Sequence, residues 1–325
     1  MQSVLVTGAS GFLGQAVCRA LLHRRHRVLA MARQPAGWSH PDLQTWLVKD
    51  IAAIPADEFE LLKKVDTVVH CAGRAHKLRD DAADPLVEFR RINAEASVNL
   101  ARRAADAGVK RFIFVSSISV NGSTSGAKPF RDDDPPAPDT PYGQSKWEAE
   151  QGLMALHAES RMTMHIVRPP MIYGPQAPGN FALLAKLVAR GWPLPFGALH
   201  APRSFVARDN VVDLLVHLVR HPDPPSGVFL VADSETVPTT EFVRTMAQAM
   251  GVTPRLLPVP ARLLEMMAGL FGRGDQIRKM AVPLAVDSSS TCRRLGWTPP
   301  VALRVAMQRA LAPRIDEGYE EEQTA

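Results

Sequence analysis

Cysteine is scarce in this chain: among 325 residues there are only Cys18, Cys71 and Cys292, which are far apart in the sequence. No pair has the spacing of a metal site, and an odd count does not suggest a disulfide framework. We therefore expect no metal centre and a reducing compartment, in the simplest case the cytoplasm. The start of the chain also lacks a charged leader followed by a long apolar run, so no secretory signal is expected.

Long apolar runs are equally scarce. No stretch approaches the roughly 20 apolar residues that a transmembrane helix needs, so we expect no integral membrane association. The most apolar predicted helix, residues 261–271, is interrupted by Arg262 and Glu265. We expect it to pack as an amphipathic helix, with a helix at a membrane surface as the alternative.

A large charge of one sign is also missing, because 38 Lys and Arg against 33 Asp and Glu leave a net charge of +5. The excess is not gathered in a basic stripe with interleaved aromatics, so no nucleic acid partner is expected. Scattered arginines instead suit a phosphorylated ligand. Hydrophobic residues make up 46% of the chain and charged residues 22%, which excludes a mostly disordered protein.

Proline is rare in the first part of the chain, where only four of the 27 prolines precede residue 129. Short apolar runs alternate there with longer helical patterns, which predicts βαβ units and a parallel sheet. The strands are predicted at 4–6, 27–32, 46–48, 65–70, 111–115 and 165–168. The helices are predicted at 11–24, 57–64, 85–107 and 141–159.

The second part is richer in proline and glycine, which predicts a loop-rich lobe mixed with helices. Further helices are predicted at 181–190, 210–220, 240–250 and 301–311, with short strands near 204–207 and 228–231. We expect an α/β domain over 1–175 with parts of 204–235. A smaller lobe is expected over 176–203 and 236–315, and an acidic flexible tail over 316–325.

Three glycines join the first strand to the first helix. Gly8 permits a tight turn, Gly11 lets backbone amides approach a pyrophosphate, and Gly14 lets the helix pack closely on the strand. The helix N-terminus adds unpaired N–H donors and the positive end of a dipole. The turn therefore predicts dinucleotide binding, with a purely structural turn as the alternative.

The end of the second strand bears on the type of cofactor. Sites for NAD usually place Asp or Glu there to bind the ribose hydroxyls, whereas this chain reads Met31-Ala32-Arg33. A guanidinium suits the 2′-phosphate of NADP. We therefore favour NADP, with NAD as the alternative cofactor and an ordinary surface arginine as the alternative role of Arg33.

Tyr142 and Lys146 stand four residues apart in a predicted helix, so they share one face. A phenol with a pKa near 10 is a poor proton donor or acceptor at neutral pH, but a neighbouring ammonium lowers that pKa. Such a tyrosine can exchange a proton with a hydroxyl or carbonyl oxygen. Upstream, an apolar strand ends in Ser116-Ser117, at the edge where open α/β sheets bind ligands, and a serine there can hydrogen-bond the reacting oxygen.

These motifs, in this order, resemble the extended short-chain dehydrogenase/reductase family, in its nucleotide-sugar epimerase/dehydratase branch, over nearly the whole chain. The resemblance implies a Rossmann-type doubly wound parallel sheet with helices on both faces, plus a smaller mixed C-terminal substrate lobe. It implies Ser117, Tyr142 and Lys146 as the catalytic residues, and an adenine contact at Asp50-Ile51. The implied cofactor-binding residues are Gly8, Ser10, Gly11, Phe12, Leu13, Gly14, Arg33, Asp50, Ile51, Ala72, Gly73, Asn93, Tyr142, Lys146, Pro170 and Met171.

The resemblance extends to the second lobe and implies a UDP-sugar substrate. Besides Ser117, the implied substrate-binding residues are Asn180 at a helix start, Phe196 in a uracil-holding loop, and two arginines for the phosphates, Arg203 and Arg278. A homodimer is implied, formed through the predicted helices over 85–107 and 142–159.

Within the branch, the sequence is most similar to bacterial enzymes of surface-polysaccharide (O-antigen) synthesis that act at carbon 4 of UDP-N-acetylhexosamines. The leading hypothesis is an NADPH-dependent reductase of a UDP-4-keto-6-deoxy-N-acetylhexosamine, with a UDP-glucose/UDP-N-acetylglucosamine 4-epimerase that keeps NAD bound as the alternative. Dehydration is not expected, because Ile118-Ser119 stand where 4,6-dehydratases carry an acidic pair. A non-catalytic NADPH sensor or scaffold is the hypothesis of another class, against which the intact Ser117, Tyr142 and Lys146 argue.

Overall fold

The computed structural model describes residues 1–35, 37–74, 84–269 and 274–312. A parallel sheet of seven strands forms its centre, in the order β3-β2-β1-β4-β5-β6-β9. These strands are β1 Ser3–Thr7, β2 Arg27–Ala32, β3 Leu43–Leu47, β4 Thr67–His70, β5 Arg111–Val115, β6 Thr163–Arg168 and β9 Gly227–Leu230. Because β1 pairs with β2 on one side and β4 on the other, the strand order reverses beside β1. Ligands of open α/β sheets bind at such a reversal, at the carboxyl ends of the strands.

Helices connect the strands. The α-helices are α1 Phe12–His23, α2 Pro85–Phe89, α3 Ala96–Asp106, α4 Pro141–Glu159, α5 Asn180–Ala189, α6 Arg208–Arg220, α7 Thr239–Ala249, α8 Ala261–Gly269, α9 Gly274–Ala281, α10 Ser289–Leu295 and α11 Leu303–Leu311. Short 3₁₀ segments lie at Ile51–Ala53, Ala56–Lys64 and Ile118–Val120, and a π-helical segment at Arg90–Glu95 joins α2 to α3.

Both faces of the sheet are covered, which confirms the doubly wound architecture. On one face, buried apolar side chains of α1 and α6 pack against the strands, for example Leu21 and Leu215. On the other face, α3 and α4 contribute Leu100 and Leu153 to a second cluster. Strands buried on both faces read as continuous apolar runs, which is why the sequence pattern located them.

A second, mixed sheet of three strands has the order β10-β8-β7, with β7 at Met171–Tyr173, β8 at Pro202–Ala207 and β10 at Thr236–Pro238. Its core is aromatic: the rings of Phe205 and Phe242 stack with centroids 4.0 Å apart, and Tyr173 meets Phe242 edge-on at 5.4 Å. This sheet gives the second half of the described chain its own hydrophobic cluster. The domain boundaries expected from the sequence remain a prediction.

Before residue 110 the structure differs from the predicted helices in two places, and the strand predicted at 46–48 is β3 at Leu43–Leu47. The expected single helix over 85–107 is interrupted by the π-helical segment, and the expected helix over 57–64 is a 3₁₀ segment. A π-helical turn changes which face the following residues present, and such turns are frequent at functional sites. Asn93 lies in this turn and is fully buried. The predicted tail over 316–325 and the end of the helix over 261–271 lie outside the described residues.

Candidate active site

The glycine turn after β1 has the geometry of a phosphate cradle. Gly8 has a φ of +65°, and a Cβ there would lie 2.9 Å from the Ala72 amide nitrogen, so only glycine fits. A Cβ on Gly14 would collide with the Gly8 carbonyl, which explains the close approach of α1 to the turn. Gly11 is the N-cap of α1 and offers no capping side chain, so the amides of the first turn point towards an anion site. The turn therefore fits the pyrophosphate of a dinucleotide.

Arg33 and Asp50 lie at the carboxyl ends of the neighbouring strands β2 and β3. Arg33 is exposed. Asp50 accepts from the Ala52 amide at 3.0 Å and lies 2.7 Å from Arg91 Nη1. The amide and the guanidinium hold the pKa of Asp50 below its usual value, so this carboxylate is ionised at neutral pH. Ile51 follows directly and begins a 3₁₀ turn.

Ser117, Tyr142 and Lys146 meet at the end of β5. Thr140 caps α4 by accepting from the Gly143 amide at 3.0 Å, and this cap fixes the first turn, which carries Tyr142. The Ser117 hydroxyl lies close enough to Tyr142 to lower the pKa of the phenol, and it donates to Ser119 Oγ at 3.2 Å. Lys146 Nζ donates to the Val115 carbonyl at 3.0 Å, two residues before Ser117. The structure thus brings together the three residues predicted to be catalytic.

The buried positions of these groups set their protonation states. Burial raises the pKa of Tyr142, and the Ser117 hydroxyl opposes that shift only in part. The phenol is therefore neutral at pH 7 and holds a proton that it can donate. Burial lowers the pKa of Lys146 to about 8, and the Glu150 carboxylate opposes this shift. The ammonium also lies 4.6 Å from the centre of the Phe114 ring, a cation–π contact that favours its charged form.

A hydrogen-bond network runs from the glycine turn into the interior. The Thr7 hydroxyl accepts from the Ala72 amide at 3.0 Å and lies 2.8 Å from His70 Nδ1. His70 Nε2 lies 2.9 Å from the Ser97 hydroxyl, which donates to the Asn93 carbonyl at 2.7 Å. These partners fit a neutral imidazole with the proton on Nε2. Burial lowers the pKa of His70 to about 3, so it stays neutral, as expected of a core residue.

Asn93 extends this network to the catalytic helix. Its side-chain amide donates to Ser145 Oγ at 3.1 Å, and Ser145 Oγ donates to the Tyr142 carbonyl at 2.8 Å. A Cβ on Gly73 would lie 3.1 Å from Asn93 Oδ1 and 3.3 Å from Lys146 Nζ. The backbone after β4 therefore passes close to both side chains, and Ala72 and Gly73 line the same region.

A buried ion pair lies beneath the catalytic helix. Glu150, one turn after Lys146, lies with its Oε2 2.5 Å from Arg168 Nη2, and the two side chains are 1% and 2% exposed. Ser116 donates to the same carboxylate, and Arg168 Nη1 donates to Asn121 at 2.9 Å. Arg168 ends β6 and directly precedes Pro169-Pro170 and the half-exposed Met171. The pair therefore ties α4 to the segment that holds Pro170 and Met171, two of the residues that the resemblance implies for cofactor binding.

Sequence reasoning assigned no role to several residues of these networks, namely Thr7, Ser97, Ser145, Glu150 and Arg168. One signal was available for Glu150: it stands four residues after Lys146 on a buried helix face, where a carboxylate is rare unless it is paired. Its partner on β6 could not be found from spacing, because the two residues come from different elements.

The residues predicted to bind the substrate lie in the second half of the chain. Asn180 begins α5 and is exposed, and Phe196 packs against the aromatic cluster. Arg203 lies in β8, where its Nη1 donates to the Val282 carbonyl at 3.0 Å and also to the Lys279 carbonyl. Burial lowers the pKa of Arg203 to about 10, so it is not a solvent-facing loop residue.

Arg278 forms an ion pair with Glu265 at 2.6 Å. Arg278 lies in α9, three residues before the end of this short helix. The carbonyl of its neighbour Lys279 accepts a hydrogen bond from Arg203. The structure thus joins the two predicted phosphate arginines through one helix.

Two features are absent from the described part of the chain. No cluster of three His, Cys, Asp or Glu side chains among these residues could hold a metal ion. No helix among them is both long and apolar enough to cross a membrane.

Comparison with known proteins agrees with this geometry. The NAD dependent epimerase/dehydratase family matches residues 4–232. A UDP-glucose 4-epimerase of Vibrio cholerae is 42% identical over 306 residues, covering 93% of this chain and 92% of that protein. An N-acetyl-alpha-D-glucosaminyl-diphospho-ditrans,octacis-undecaprenol 4-epimerase of Escherichia coli O157:H7 is 24% identical, covering 95% and 94% of the two chains.

Among solved structures, MoeE5 in complex with UDP-glucose and NAD is 27% identical to this chain. The TM-score is 0.77, and the match covers 95% of this chain and 97% of the other. The likeness extends through both sheets.

Proposed function

This chain belongs to the NAD dependent epimerase/dehydratase family, and on that premise we propose that it is a nucleotide-sugar 4-ketoreductase using NADPH. The coarser assignment, an enzyme of the nucleotide-sugar epimerase and reductase group with a nicotinamide dinucleotide cofactor, follows from the relatives. The proposed substrate is a UDP-4-keto-6-deoxy-N-acetylhexosamine. The proposed setting is the synthesis of surface-polysaccharide precursors in the cytoplasm.

The observation that carries the proposal is the end of β2. Arg33 is exposed there, and the sequence that follows β2, Arg33-Gln34-Pro35, contains no carboxylate. A guanidinium matches the 2′-phosphate of NADP, whereas an acid at this place would match the two ribose hydroxyls of NAD. NADP specificity supports a reductase, since a reductase consumes its cofactor in each turnover.

The residues at the end of β5 are suited to handle the proton of such a reduction. The cofactor, when bound, supplies the hydride. Tyr142 holds a proton at neutral pH and would donate it to the carbon-4 oxygen. Ser117, which lies beside Tyr142, would bind the same oxygen and hold it beside the phenol. Lys146 would bind the ribose and, as an ammonium, stabilise the phenolate that remains.

The arginines of the second sheet region support a diphosphate-linked substrate. Arg203 donates to two backbone carbonyls, and both hydrogen bonds come from Nη1. The N–H groups of Nε and Nη2 take part in neither of them. They could bind a pyrophosphate oxygen while Nη1 keeps the segment after α9 in place. Asn180, Phe196 and Arg278 are proposed to complete the site for the UDP group.

A UDP-sugar 4-epimerase is the second candidate, and one observation favours it: the Vibrio cholerae relative at 42% identity bears that name. Such an enzyme would use the same Ser117, Tyr142 and Lys146. It would oxidise carbon 4, turn the keto sugar over and reduce it again, with NAD retained throughout.

Cofactor stoichiometry separates the two candidates. The purified protein is incubated with UDP-4-keto-6-deoxy-N-acetylhexosamine and NADPH, and the new carbon-4 hydroxyl is detected by NMR. We expect one NADPH to be oxidised per sugar reduced, and Tyr142→Phe serves as the inactive control. NAD released in stoichiometric amount from the denatured protein, together with interconversion of UDP-glucose and UDP-galactose without added cofactor, would overturn the reductase in favour of the epimerase.

Homodimerisation through α2–α3 and α4 stays a prediction. Val87 on α2 and Met154 on α4 are 56% and 37% exposed, as expected of side chains available to a partner copy. Light scattering of the purified protein would test it directly.

A further inference from the structure

Exposed apolar side chains cluster around α8. Of the twelve large apolar side chains that are exposed in the described part of the chain, five are Trp192, Leu257, Leu263, Met266 and Met267. We call these five residues the apolar patch. Contiguous exposed apolar surface on a protein of this type marks a site of interaction.

The apolar patch has a helical face at its centre. Leu263, Met266 and Met267 are 44%, 65% and 51% exposed and stand at positions i, i+3 and i+4 of α8, so they lie on one side of the helix. Leu264 points the other way and is 7% exposed. Packing of α8 on the protein therefore uses the opposite side of the helix and leaves this face open.

Backbone hydrogen bonds connect the rest of the apolar patch to α8. Leu257 donates to the Leu194 carbonyl at 2.8 Å and accepts from the Gly197 amide at 3.0 Å, which holds the segment after Trp192 beside the segment that leads into α8. Leu257 is only four residues before the start of α8. Trp192 and Leu257 are 57% and 47% exposed.

The charges in the two segments that carry the apolar patch are almost all positive. Residues 179–200 and 251–269 contain four Lys or Arg side chains and a single acid, Glu265. The four cations, Lys186, Arg190, Arg255 and Arg262, are all exposed. Glu265 is paired with Arg278 at 2.6 Å, so its charge is compensated.

We propose that the apolar patch and its ring of cations dock this enzyme on an anionic phospholipid surface. An amphipathic helix with methionine and leucine on one face and arginine at its flank lies in the plane of a membrane interface. Tryptophan is favoured at the level of the headgroups. The cations would be attracted by the anionic headgroups. This inference goes beyond the proposed reaction and does not depend on which sugar is the substrate.

For α8 the proposal is therefore the membrane alternative rather than the packing expected from the sequence. The apolar composition of α8 alone is compatible with either packing or a membrane surface. What supports a membrane surface is that three large apolar residues of α8 are exposed together and that the two segments carrying the apolar patch contain a single acid.

The test is co-sedimentation of the full chain with large vesicles of phosphatidylcholine containing about 30% phosphatidylglycerol, compared with pure phosphatidylcholine. The test variant is Met266→Ser/Met267→Ser. The matched control is Leu47→Ser/Val305→Ser, which removes two exposed apolar side chains (54% and 42%) outside the apolar patch and outside the predicted dimer helices. A third variant, Arg255→Gln/Arg262→Gln, removes charge and leaves the apolar residues in place.

We expect the wild type and the matched control to bind the anionic vesicles, and the methionine variant to bind about tenfold more weakly or worse. The arginine variant should lose most of its preference for phosphatidylglycerol, and salt of about 0.5 M should weaken wild-type binding. Unchanged melting temperature and NADPH binding show that the variants are folded.

Equal binding by the wild type and the methionine variant would overturn the proposal. A second result would also overturn the proposal. If the wild type does not bind vesicles and the methionine variant has a lower oligomeric mass by light scattering, a second copy of the chain covers the apolar patch.

Discussion

Replacing Glu150 with glutamine should weaken the fold through the buried ion pair beneath the catalytic helix. Glutamine keeps the shape of the side chain and an acceptor oxygen, but it leaves the Arg168 guanidinium, 2% exposed, without its counter-charge. Removing one partner of a buried pair costs about 3–5 kcal/mol of the free energy of unfolding. That total is only about 5–15 kcal/mol. An unfolding entropy of about 2.1 cal/mol/K per residue amounts to about 0.7 kcal/mol/K for 325 residues, so we expect a melting temperature lower by about 4–7 °C.

The same substitution should move the pH dependence of catalysis. Burial lowers the pKa of Lys146 to about 8, and the Glu150 carboxylate acts in the opposite direction. Without that carboxylate the pKa of Lys146 falls further. The ammonium form is the one that stabilises the Tyr142 phenolate, so activity is present below the pKa of Lys146 and is lost as pH rises through it. In the Glu150→Gln variant we expect this alkaline loss to begin at a lower pH.

The chain supplies a matched control for both effects on the same helix. Glu148 is two residues earlier, and its carboxylate lies 2.7 Å from Arg90 Nη2 in a half-exposed pair. Glu148→Gln makes the same chemical change where water screens the charges, so it should alter stability little. Circular dichroism melts and the pH profile of kcat, measured for both variants, check the prediction. Equal melting temperatures for the two variants, or coincident alkaline limbs, would refute the assigned role of the buried pair.

Three further substitutions test the proposed site. Tyr142→Phe should leave cofactor binding intact and reduce kcat by about 10²–10⁴-fold, because it removes the proton donor; turnover within a few-fold of the wild type would contradict that role. Arg33→Ala should weaken NADPH binding by about ten- to a hundredfold and NADH binding much less, measured by fluorescence titration; equal losses would exclude a 2′-phosphate contact. Arg203→Ala should raise the KM for the UDP-sugar by roughly tenfold with a smaller effect on kcat, since the pyrophosphate is remote from carbon 4; a KM within about twofold of the wild type would remove Arg203 from the substrate site.

Much of the fold was predictable because its central strands are buried on both sides. β1, β2 and β5 read as apolar runs, and each was predicted within one residue of its observed bounds. The short strands β7 and β10 were missed. They have three residues each, and they are strands because they pair with β8. Since β8 is distant in the sequence, a local pattern gives no information about this pairing.

The proximity of the proposed catalytic residues Tyr142 and Lys146 was predictable for a different reason. Tyr142 and Lys146 belong to one helix, so their spacing alone places them on one face. The side chains that hold them could not be found in this way. Asn93 reaches Ser145 from a π-helical turn where the sequence predicts a regular helix, and Arg168 reaches Glu150 from β6. Contacts between elements depend on the packing of the whole fold, and propensity carries no information about them.

The choice between reductase and epimerase does not lie in the catalytic residues. Reduction of a 4-keto sugar by the reductase is chemically the second half of the epimerase reaction, so Ser117, Tyr142 and Lys146 would serve both. What differs is how long the cofactor stays bound, and that depends on contacts remote from carbon 4.

At the proposed site for the adenosine half of the cofactor, Arg33 is exposed, while the Asp50 carboxylate is already paired with Arg91 at 2.7 Å. An arginine that binds one phosphate through solvent-exposed contacts is screened by salt, whereas buried contacts are not. If Arg33 is the main contact, the rate of NADPH release should therefore increase with ionic strength. That result would favour a cofactor that is exchanged in each turnover.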